Sequence, residues 1–74
     1  MEFKDLRELI KRQPFCPLQF HLTDGATFEI RHPDMAMLGR TAITLGIPSP
    51  AEGEHWAVVP LSSILWVEVI IGMS

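Results

Sequence analysis

"PLQFHLTDGATFEIRHPDMAML", residues 17–38, decides the fold of this chain. Leu18, Phe20 and Leu22 alternate with Gln19, His21 and Thr23, the period-two pattern of a strand with one buried face. Asp24-Gly25 then signals a hairpin, because glycine accepts the positive φ that such tight turns demand. The return strand directs Phe28 and Ile30 inward and Thr27, Glu29 and Arg31 outward. Pro33 lacks a ladder donor, so it ends this strand or bends it sharply.

Working outward, residues 2–13 read as an amphipathic helix. Phe3, Leu6 and Ile10, flanked by Leu9, form one apolar stripe at three- and four-residue spacing. Acids sit early (Glu2, Asp5) and bases late (Lys11, Arg12), as the helix dipole favours. Pro14 ends the helix and Pro17 keeps the next segment extended. Downstream, "TAITLGI" predicts a third strand with Ile43, Leu45 and Ile47 on one face, and Gly46 marks a bulge or a close backbone approach. Residues 48–54 read as a polar loop. "HWAVVPL" and "ILWVEVII" predict the fourth and fifth strands, joined by a short turn at Ser62-Ser63. The expected core is Leu18, Phe20, Leu22, Phe28, Ile30, Ile43, Leu45, Val58, Ile64, Val67 and Val69.

A chain of 74 residues makes one domain. At this size only about 60% of the surface exposed on unfolding is buried, so the core is marginal by itself. Small proteins often add disulfides, a metal or subunit contacts. The single cysteine, Cys16, excludes an internal disulfide, and there is no Cys/His cluster of zinc-site type. Oligomerisation is therefore the expected source of extra stability. The N-terminus is charged throughout, unlike a signal peptide. Pro60, Ser62, Ser63 and Glu68 interrupt the apolar C-terminal run, which excludes a membrane span of about 20 apolar residues. The composition thus predicts a soluble cytoplasmic protein. Its net charge of −3 argues against a general nucleic-acid binder. Yet four of the six basic residues, Lys4, Arg7, Lys11 and Arg12, lie in the first twelve positions, so any anion-binding surface should involve that segment.

Little in the chain suggests catalysis. His21 falls on an outward strand face, His32 beside a proline at a bend and His55 at a loop edge, and no pair has the short spacing of a metal site. His32 with Asp34 is the best of these pairs. Cys16 lies between Phe15 and Pro17, away from the electropositive setting a reactive thiol needs. Ser62 and Ser63 lack a glycine-rich elbow, and Asp24 serves its turn. The expectation is a non-enzyme with no cofactor and no metal.

A helix followed by five antiparallel strands, with an Asp-Gly hairpin first and a serine turn last, resembles the Sm-like family that includes Sm, Lsm and Hfq proteins. Its first motif resembles "LTDGATFEIRHPDMAML", with Asp24-Gly25, Asp34 after a bend, and Leu38. The resemblance implies a mostly β fold: an N-terminal α-helix (1–14) and a five-stranded SH3-type antiparallel barrel (17–71) within a single domain, 1–74. It also implies a homo-oligomeric ring of about five to seven subunits. The chain departs from the family at four places, one being that Asp34 follows the turn one residue sooner than is usual. Ile30 stands near the glycine that bends the second strand, Met37 near the polar group that contacts an RNA base, and Pro60-Leu61-Ser62-Ser63-Ile64 where many Sm proteins carry Arg-Gly.

The last strand is apolar on both faces: Leu65, Val67, Val69 and Ile71 on one, Trp66 and Ile70 around Glu68 on the other. Such a strand belongs in a sheet centre or at a subunit contact. Trp66 then packs either under the helix or, with Glu68 and Ile70, at an oligomer interface. Two functions stay open. One is binding of RNA or single-stranded nucleic acid through Arg31, His32, Asp34 and Arg40 at the loops, with Lys4, Lys11 and Arg12 on the helix. The other is a protein-interaction or structural module that has lost the RNA pocket.

Overall fold

The computed structural model describes residues 1–49 and 53–71. Helix α1 spans Phe3–Lys11, with Asp5 in its first turn and Lys11 in its last. Its apolar stripe buries Leu6 and Ile10 in the core. Strands β1 (Leu18–Leu22) and β2 (Thr27–Ile30) form the expected hairpin, with Phe20 opposite Phe28 and His21 opposite Thr27. Four residues, 23–26, connect the two strands. Leu22 N–H donates to the Ala26 carbonyl at 2.9 Å, and among the described non-glycine residues none has positive φ. Among the described residues Gly25 alone takes the left-handed conformation, at φ 91°. The Asp24 carboxylate accepts from Ala26 N–H at 2.9 Å, so Asp24 does serve the turn.

Pro33–Met35 forms a 3₁₀ turn, after which the chain re-extends as β3, Ala36–Leu38. A tight turn follows, closed by Gly39 N–H on the Ala42 carbonyl at 2.8 Å. Strands β4 (Ala42–Ser49) and β5 (Gly53–Pro60) make a long hairpin. A second 3₁₀ turn, Leu61–Ser63, leads into β6, Ile64–Val69.

The architecture is mostly β: one N-terminal helix and six strands in two antiparallel sheets, ordered β2-β1-β6 and β3-β4-β5. The expected count was five. Three-residue β3 adds the sixth, in a segment too short to display a periodicity. The sheets do not close into a barrel: among the described residues neither β2 with β3 nor β5 with β6 is paired, and a 3₁₀ turn lies between the strands of each of these two pairs. The supposed polar loop 48–54 is mostly strand: Pro48 pairs with Glu54 and Ser49 with Gly53, while residues 50–52 lie outside the described residues.

The core joins Leu6, Ile10, Leu18, Phe20, Ile30, Ile43, Leu45, Val59, Leu61 and Ile64. Leu22, Phe28, Val67 and Val69 pack against it half-buried, and helix residues Leu6 and Ile10 complete it. One expected core residue is wrong. Val59, opposite Ile43, is 5% exposed, whereas Val58, opposite Thr44, is 69% exposed. The Val58-Val59 pair fits either phase of a strand, and only the register against β4 selects one. Leu65 is also misplaced. The β1–β6 register slips between His21–Trp66 and Leu22–Ile64, so Leu65 is an extra, bulged residue on the surface.

Candidate functional site

Strands β5 and β6 each have one neighbour, β4 and β1 respectively, and so end their sheets. An edge strand presents unpaired backbone donors and acceptors, which proteins usually blunt with charge, proline or a covering segment. Here the edges carry large apolar side chains. On β5, Trp56 is 45% exposed and stands two residues from exposed Val58. On β6, Leu65 and Trp66 are 65% and 48% exposed. Trp56 and Val58 share the outer face of their sheet, opposite Gly46 and Thr44.

Trp66 does not pack under the helix. It lies on the outer face of β6 directly across from His21 on β1, and the two rings stack with centroids 3.9 Å apart and planes 2° from parallel. Glu68 approaches His21 Nε2 at 3.3 Å. Three side chains from two strands thus hold one another on an open surface. Ile70 follows the end of β6, is half-buried, and donates its N–H to the Pro17 carbonyl at 2.8 Å. Of the expected interface residues, Trp66 and Glu68 come together and Ile70 continues the same edge.

The expected nucleic-acid residues fall into separate places. Lys4 and Lys11 lie along one flank of α1 with Arg7 and Glu8. Lys11 and Arg7 also line a cleft of about 340 Å3 between the helix and the Pro33–Leu38 segment. Arg12 follows the helix and is exposed. Arg31 and His32 line a second groove, about 450 Å3, with Glu29, Met35 and Gly46. Arg31 is tied to Glu29 at 2.7 Å, so part of its charge is already matched. Asp34 is exposed in the 3₁₀ turn, and Arg40 is exposed in the β3–β4 turn. Among the described residues His32 and Asp34 share no hydrogen bond, and no group of three His, Cys, Asp or Glu could hold a metal ion. None of their helices is long and apolar enough to cross a membrane.

Sequence reasoning missed Trp56, Val58 and Leu65 as surface residues and Arg7 as a cleft residue. For Trp56 a signal existed, because alternation places it opposite Ala57 and Val59. Leu65 had none, since a bulge is invisible to periodicity. Comparison with protein-family models, with curated proteins and with solved structures finds no match.

Proposed function

We propose that the chain is a self-assembling Sm-like module whose copies join head to tail, β5 of one against β6 of the next. The observation that carries this reading is the pair of open edges, each bearing an exposed tryptophan. Pairing them would make a continuous sheet, β3-β4-β5 followed by β6-β1-β2 of the next copy. Inward Ala57 and Val59 would then neighbour Val67 and Val69, extending the core across the boundary. Outward Trp56 and Val58 would neighbour Trp66. The contact is heterologous, so it generates a ring where the rotation closes. If β2 and β3 are counted as two arms of one strand bent at Pro33–Met35, the element order is the five-strand order of the family, which supports the resemblance. Fold likeness alone transfers no activity, so the function proposed is assembly and protein interaction. Light scattering coupled to size exclusion tests it: a stable multiple of 8.3 kDa is expected, and a monomer at micromolar concentration overturns the reading.

Nucleic-acid binding is a second reading, favoured by one observation. Among the described residues, Lys4, Arg7 and Lys11 share a helix flank and none makes a salt bridge. Anisotropy of labelled U-rich and A-rich oligonucleotides at low salt tests it, and absence of binding leaves the interaction module alone.

A further inference from the structure

The cleft between α1 and the Pro33–Leu38 segment joins core-packed apolar walls to two cations at its rim that folding does not require. Buried Ile10 and half-buried Phe3, Ala36 and Leu38 supply apolar walls, while exposed Arg7 and Lys11 stand at its opening. Its volume of about 340 Å3 falls at the lower end of the range for small-molecule sites, about 300–1,000 Å3, which are typically apolar with few polar groups. Arg7 and Lys11 are four residues apart on one helix, where like charges disfavour the helix by a few tenths of a kcal/mol. Neither side chain has an acidic partner among the described residues. The rest of the protein is acidic: residues 13–74 hold two basic and six acidic side chains. Two cations that make no salt bridge, at the rim of an apolar hollow, are complementary to one class of ligand, an anion with an apolar body.

We propose that this cleft binds a small monocarboxylate with an aliphatic or aromatic body. The guanidinium of Arg7 presents a planar fork that matches a carboxylate with two parallel hydrogen bonds. Lys11 adds a point charge one helical turn away, and the body of the ligand covers Phe3, Ile10, Ala36 and Leu38. A bare phosphate uses the rim and leaves the walls uncovered. A neutral hydrocarbon does the reverse.

Octanoate is the probe, titrated into the isotope-labelled full chain while amide spectra locate the site and calorimetry measures affinity. Saturable shifts at Arg7, Ile10, Lys11, Ala36 and Leu38 are expected. Octanol, which has the same body without the charge, should bind at least about tenfold more weakly, the loss typical of one charge-assisted hydrogen bond. The exposed pair R7Q/K11Q should weaken octanoate by a similar factor while its amide spectrum stays folded. No saturation at millimolar octanoate overturns the proposal. So do equal affinities for octanol and octanoate, or shifts centred on Trp56 and Trp66. Inorganic phosphate competing as well as octanoate overturns the apolar half of the argument and with it the ligand class.

Discussion

The imidazole of His21 lies flat on the indole of Trp66, centroids 3.9 Å apart, while its Nε2 stands 3.3 Å from a Glu68 oxygen. Strand register produces this directly, since His21 and Trp66 are cross-strand partners and Glu68 is two residues further along β6. The stack holds the rotamer of a half-exposed tryptophan on a free edge. Ordering a side chain before association lowers the entropy lost on binding.

Replacing His21 with Ala should therefore lower stability by about 0.5–1.5 kcal/mol, the range for stacked aromatic pairs, without unfolding the domain. In a Trp56→Phe background the near-ultraviolet circular dichroism of Trp66 should diminish. An unchanged spectrum together with an unchanged urea midpoint contradicts the stack.

Phe20 is fully buried at the centre of the β2-β1-β6 sheet, opposite Phe28 on one side and Val67 on the other. Phe20→Ala should cost about 3–5 kcal/mol, from lost transfer energy and the cavity left behind. For so small a domain that approaches total stability. Urea unfolding should show a midpoint near zero denaturant, and a shift of under about 1 kcal/mol would place Phe20 outside the core.

Gly46 leaves room for both Met35 and Trp56 to approach the backbone of β4. A Cβ there would lie 2.5 Å from the Met35 terminal methyl and 3.3 Å from the Trp56 ring. The methyl ends a flexible side chain and can move, so Gly46→Ala should change stability by less than about 1 kcal/mol while displacing Trp56, visible in its fluorescence. Gly46→Leu cannot be accommodated this way and should cost about 1–3 kcal/mol. Equal stabilities of the two variants in urea would show that the outer face is open.

The hairpin at 18–30 and the helix were legible because each carries a period, of two or of about 3.6, over enough residues to be seen, and the last two strands were legible as elements though not in every side chain's face. Three features were not. Ala36-Met37-Leu38 is too brief for alternation, and its strand identity comes from pairing with β4. Val58 and Val59 are chemically alike, so their opposite fates rest on register. Leu65 is surfaced by a bulge. The aromatic stack was half legible: outward positions for His21 and Trp66 followed from alternation, but their juxtaposition needed the β1–β6 register.

Were nucleic acid bound, the affinity should fall steeply with salt, because each neutralised phosphate releases counterions. Charge removal at Lys4 and Lys11 should weaken binding more than removal at Arg31, whose guanidinium is already engaged by Glu29 at 2.7 Å. Anisotropy titrations at two salt concentrations measure both effects. A salt-independent affinity, or equal losses at the two places, would argue against the helix flank as the contact.

The most consequential prediction concerns the two edges. A monomer would leave Trp56, Val58, Leu65 and Trp66 in water beside open strand backbones, a template for uncontrolled pairing. Joining β5 to β6 of a neighbour satisfies both backbones and brings Trp56 and Val58 alongside Trp66, each cross-strand pair contributing roughly 0.2–1 kcal/mol. Because stability of so small a domain would then depend on its neighbours, the melting temperature should rise with protein concentration. Trp66→Lys should lower the assembled mass and remove that dependence while leaving the strand spectrum intact, since Trp66 contributes nothing to the core. Ile70→Asp should also dissociate the assembly and lower its thermal stability, but Ile70 is half-buried, so its effect mixes folding with assembly. Comparing the two variants by light scattering and by thermal melts separates these contributions. If Trp66→Lys keeps the native mass and the native concentration dependence, the β6 edge is not the contact and the head-to-tail arrangement fails.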